Sequence, residues 1–81
     1  MMLPTIHLNG TSRSELFDTH VAAIVAVDNA IAALRRAAPN ARDYYPQSPE
    51  AYPLARDEHL ARLAALDKIS RDLHILAEHA V

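Results

Sequence analysis

The stretch Pro39-Asn40-Ala41-Arg42-Asp43-Tyr44-Tyr45-Pro46-Gln47-Ser48-Pro49-Glu50-Ala51-Tyr52-Pro53 decides the fold. It holds four of the five prolines and three of the four aromatic residues. Proline has no amide hydrogen and biases the preceding residue away from the α region, so four prolines do not fit inside one helix. On either side lies a long Ala/Leu/Ile/Val-rich segment with helical spacing. The chain therefore reads as all-α, an antiparallel two-helix hairpin with a short extended N-terminal arm and a Pro/Tyr-rich loop. One domain, residues 1–81, is expected to comprise an arm over 1–11, a helix over 12–38, the loop over 39–52 and a helix over 53–80.

Upstream of the loop, Ile6 and Leu8 alternate with polar neighbours after Pro4, and Asn9-Gly10 suits a turn because both residues tolerate positive φ. Ser12 followed by Glu15 is a capping box, with Leu8 placed to staple the start of the helix. Phe17, Ile24, Val27, Ile31, Leu34 and Ala38 form one apolar stripe, and Arg35 and Arg36 suit the negative end of the helix dipole. Val21 to Val27 has no polar side chain at all. A helix covered on one side only would show a polar back there, so Val21 and Val25 call for a second subunit. Asp28 is expected to pair with Arg35 or with a basic residue of a neighbour.

Downstream, the second helix starts either at Ser48, with Pro49 as first helical residue, or at Tyr52-Pro53, with Pro53 in that place. Leu63, Leu66, Ile69, Leu73, Leu76 and Ala80 form its core stripe. Glu58/Arg62, Asp67/Arg71 and His74/Glu78 have the spacing of exposed pairs, and Leu60 and Ile75 are left over for a partner. Two such hairpins would complete a homo-oligomeric helical bundle.

Eighty-one residues without cysteine cannot be stapled by disulfides or a thiolate zinc site. Stability has to come from packing, for a two-helix chain against copies of itself. A formal charge of -2 argues against a dedicated nucleic-acid binder. The first residues lack the basic start and apolar core of a secretory signal, and no apolar run approaches a membrane span, so a cytoplasmic protein with no membrane partner is expected. No Glu-x-x-His motif occurs, and the five histidines read as solvated, with no metal and no cofactor. With a single glycine there is no nucleophile elbow or phosphate-cradling loop, and no Ser-His-Asp order is evident, so no enzyme is expected and no catalytic residue is assigned.

The loop is the best place for ligand chemistry. Arg42 offers a planar donor fork for phosphate or carboxylate, Tyr44 and Tyr45 (with Tyr52) offer stacking faces, and Asn40 and Asp43 add hydrogen-bonding groups. The plainer reading has the tyrosines cover the open end of the hairpin while Arg42 pairs with Asp43 or Glu50. A weaker anion site is Ser12 and Arg13 at the start of the first helix, where capping explains the same residues.

His7-Leu8-Asn9-Gly10-Thr11-Ser12 and Ala38-Pro39-Asn40-Ala41-Arg42-Asp43-Tyr44-Tyr45-Pro46-Gln47 together resemble a group of short phage and prophage proteins with the same arm, helix, Asp-Tyr-Tyr-Pro loop and second helix. Ala41 stands where that group usually has glycine, and Pro53 falls where it continues its second helix. The resemblance covers nearly the whole length. It implies a virus-encoded accessory protein in a bacterial cytoplasm and no particular activity. Combined with the loop chemistry, it leads to the expectation of a homo-oligomer that binds a small nucleotide-type ligand and counters host defence by sequestering an immune signal, by fold-level analogy with other small helical phage proteins. The alternative is a protein-interaction module that docks on a host defence protein, another host factor or a virion protein, with no small ligand.

Overall fold

In the computed structural model, which describes residues 1–81, the chain forms two α-helices, α1 (Arg13–Arg36) and α2 (Ala51–His79), with a one-turn 3-10 helix (Ala41–Asp43) between them. There is no strand. Helix α1 begins where the Ser12 hydroxyl accepts from the Glu15 amide at 3.1 Å. Only this half of the capping box is made, and Leu8, 98% exposed, staples nothing. The helix ends at Arg36, two residues before the expected Ala38. Pro39 has no amide to extend the ladder and disfavours helical backbone at Ala38. The amides of Ala37 and Ala38 instead bond the Leu34 and Arg35 carbonyls in a tightened last turn.

Helix α2 takes neither of the two expected starts. Its first residue is Ala51, with Glu50 at the cap and no side-chain bond there. The Leu54 amide donates to the Glu50 carbonyl at 3.2 Å, so Pro53 is the third helical residue. The first amides of a helix have no intrahelical acceptor, which lets the proline ring sit there without losing a hydrogen bond. Tyr52 consequently belongs to the first turn of α2, with the Arg56 guanidinium 6.0 Å from its ring centre, and is not part of the loop.

The helices pack antiparallel. The Ser70 hydroxyl donates to Asp28 Oδ1 at 3.5 Å near mid-length, in place of the expected Asp28–Arg35 pair. Arg13 Nη1 donates to the Val81 carbonyl at 3.1 Å at one end. Ile31, Ala77 and Ala80 are the buried apolar residues, surrounded by half-buried Ile24, Val27, Leu34, Leu63, Leu66, Leu73 and Leu76. Phe17, Ala38 and Ile69, expected in the core stripes, are exposed. His59 runs the other way. Contrary to the expectation of five solvated histidines, it is 6% exposed and its Nε2 has no hydrogen-bond partner. An unpaired buried polar atom of this kind costs about 1–3 kcal/mol. None of the three expected i,i+4 pairs on α2 forms, and the pair that does is Lys68–Asp72 at 2.9 Å.

The arm is tied down at its start. His79 Nε2 hydrogen-bonds the Pro4 carbonyl at 2.8 Å, and the Gly10 amide closes a turn on the His7 carbonyl at 3.1 Å. No residue has positive φ, so Gly10 does not serve the turn as expected. A Cβ there would lie 2.8 Å from Nε2 of the exposed His7 ring, which can swing aside, so the position does not demand glycine.

The result is a rod of 61 × 21 × 16 Å with a radius of gyration of 18.2 Å. A compact chain of this length would have about 12 Å. Such a thin fold leans on its local bonds. Ser12→Ala is expected to cost about 1 kcal/mol, lowering the melting temperature by roughly 4–8 °C, while Ser12→Asp keeps the cap. Thermal denaturation followed by circular dichroism reads this directly, and equal melting of Ser12→Ala and the parent would remove the cap from the account.

Candidate functional site

The turn between the helices is held by its own backbone. The Asn40 side-chain oxygen accepts from the Arg42 amide at 3.0 Å, and its carbonyl accepts from the Asp43 amide at 3.0 Å. The Ala41 carbonyl accepts from both Tyr44 (3.1 Å) and Tyr45 (3.0 Å), and the Tyr44 carbonyl accepts from Gln47 (2.9 Å). Ala41 thus opens a right-handed turn that needs no glycine. Asn40 commits one lone pair of its side-chain oxygen to this scaffold, and its amide NH2 makes no bond within the chain.

Arg42 and Asp43 are exposed and form no ion pair with each other, and Arg42 forms none with Glu50. The guanidinium fork is open to solvent on a fixed turn. Tyr45, three residues on, is 69% exposed, whereas Tyr44 is half-buried. One arginine fork, one open ring and one partly covered ring are what this end can offer an anion with a planar group.

Ser12 and Arg13 lie at the other end of the rod. With Ser14, Phe17, Ala80 and Val81 they line an open hollow of roughly 590 Å³. The Ser12 hydroxyl is used by the cap and contacts Ser14 Oγ at 3.4 Å, and Arg13 is used by Val81. The expected ligand residues therefore form two separate groups, and no single chain brings them together. Sequence reasoning missed the Arg13–Val81 and His79–Pro4 bonds. Antiparallel pairing of two long helices places those residues near one another, but nothing in their local pattern names the acceptor.

The four residues assigned to a partner, Val21, Val25, Leu60 and Ile75, are all exposed. Val25 is 53% exposed and faces away from α2, and Ala22, Ala26, Ala30 and Ala33 extend that apolar back of α1. No uninterrupted apolar run reaches membrane-spanning length, yet an 18-residue window of α1 averages a hydropathy of 1.4 with only 6% of it buried. Length and composition thus fit a bilayer as well as a protein partner, although Asp28 mid-helix is costly in lipid. No three His, Asp or Glu side chains come together in metal-binding geometry.

No family model matches the chain, and no curated protein or solved structure is significantly similar to it.

Proposed function

We propose that this protein is a non-enzymatic, self-associating helical hairpin whose inter-helix turn captures a small anionic ligand of nucleotide type. In this reading it is a phage-encoded accessory protein of the bacterial cytoplasm that blunts host defence by sequestering an immune signal. The observation that carries it is Arg42, a guanidinium with no protein acceptor, displayed on the same hydrogen-bonded turn as the exposed Tyr45. An arginine fork suits phosphate oxygens, and stacking on an aromatic ring adds about 1–3 kcal/mol per base.

Self-association is supported by surface area. The chain exposes 5925 Å². A compact 8.9 kDa monomer exposes about 4,800 Å², and the excess of about 1,100 Å² is the scale of one side of a stable interface.

A second reading rests on the same apolar back of α1. If that face docks on a host or virion protein, the molecule is an interaction module without a small ligand. Thermal unfolding against a panel of cyclic di- and trinucleotides and NAD-derived nucleotides separates the two. A ligand at 100 times its Kd adds about 2.7 kcal/mol, a rise of roughly 10–20 °C for a domain this size. The rise is expected with one compound, lost in Arg42→Ala and Tyr45→Ala variants of unchanged oligomeric mass. A flat panel overturns the ligand reading and leaves the interaction module.

A further inference from the structure

Along α1 the exposed residues Asp18, Ala22, Val25, Asn29, Ala32 and Arg36 recur at spacings of four and three. This is the spacing of a coiled-coil seam, carried on the side of the helix turned away from α2. The seam is charged only at its ends, acidic at Asp18 and basic at Arg36, and neither end has an ion partner within the chain. Its interior is small and apolar apart from Asn29. The spacing reads the same from both directions about position 27, so two antiparallel copies align Asp18 with Arg36, Ala22 with Ala32 and Val25 with Asn29.

We infer that α1 packs against α1 of a second copy of this chain, antiparallel about a two-fold axis near position 27, with an Asp18–Arg36 pair at each end. The inference rests on the self-association proposed above and specifies the contact that produces it. Three observations favour a second copy over another occupant. The charges are self-complementary only in the antiparallel sense, in which the two helix dipoles also oppose favourably. Alanines at positions 22 and 32 let two backbones approach closely. The excess exposed area matches one side of a stable interface. Asp18 and Arg36 of one chain are separated by about 27 Å of helix, so they cannot satisfy each other within it.

Charge exchange tests the pairing. Asp18→Arg and Arg36→Asp, each alone, are expected to raise the dimer dissociation constant at least about tenfold in sedimentation equilibrium, because like charges then meet across the axis, and the double exchange restores it. Cysteine crosslinking provides a readout independent of those variants, since the chain has no cysteine of its own. An equimolar mixture of Ala22→Cys and Ala32→Cys chains is expected to form a disulfide-linked pair on oxidation. Each variant alone is not, because its two thiols would stand about 15 Å apart along the seam. Crosslinking of Ala22→Cys with itself would show parallel pairing and overturn the inference. An oligomer whose mass and affinity ignore both charge exchanges would also overturn it while leaving self-association in place. A protein that stays monomeric at every concentration, or that floats with phospholipid vesicles instead of associating, would overturn both.

Discussion

Replacing Ile31 by alanine is expected to lower the stability of the hairpin by about 2–5 kcal/mol, the cost of removing a buried branched side chain from a packed site. Ile31 is 7% exposed, the largest apolar side chain among the four buried residues. A domain of this size has about 4–12 kcal/mol in total, so the substitution removes a large share of it. At roughly 4–8 °C per kcal/mol the melting temperature falls by at least about 8 °C. The neighbours are only half-buried and will relax into part of the vacated space, which favours the lower end of the range. Val25→Ala, on the opposite face of the same helix, is the control for hairpin stability measured on dilute protein. A loss below 1 kcal/mol for Ile31→Ala would mean that the core lies elsewhere, in contacts between chains.

The second large effect concerns the proposed self-association. Val25→Asp is expected to reduce the sedimenting mass to that of one 8.9 kDa chain, whether or not the freed hairpin stays fully helical. Val25 is 53% exposed within the chain, so a carboxylate there costs the single hairpin little. Across the interface inferred above the same carboxylate would be buried opposite only the neutral Asn29 of the second copy, with no cation to compensate it, and by two-fold symmetry this happens twice. An uncompensated buried charge costs several kcal/mol, more than a contact of this size can absorb. Analytical ultracentrifugation over a hundredfold concentration range gives the answer. An oligomer of unchanged mass would remove α1 from the interface.

The two substitutions probe opposite faces of one helix, and the contrast shows how the molecule is built. One face of α1 meets α2, and the other is nearly as apolar yet bare. The thin rod and its large exposed area leave that face and the Arg42 fork open to solvent.

The division into two helices, the Ser12 cap and a break opening at Pro39 were legible in the sequence, because each is a local property of backbone geometry. A hydroxyl three residues from an amide, or a missing proline N–H, acts the same way wherever the chain goes. The exact start of α2 was less legible, because proline is tolerated anywhere in a first turn and three positions competed. Chemically, the candidate loop was identifiable from Arg42, Tyr44 and Tyr45, but not which ring would be open or that the Asn40 side-chain oxygen would accept a bond within the turn. Only the tertiary structure decided that His59 is buried, that Phe17 and Ile69 turn outward, that Asp28 meets Ser70, and that Arg13 meets Val81. These depend on the rotation and register of one helix against the other. A helix whose middle is apolar all round, as α1 is from Val21 to Val27, leaves that rotation unspecified until the partner helix is in place.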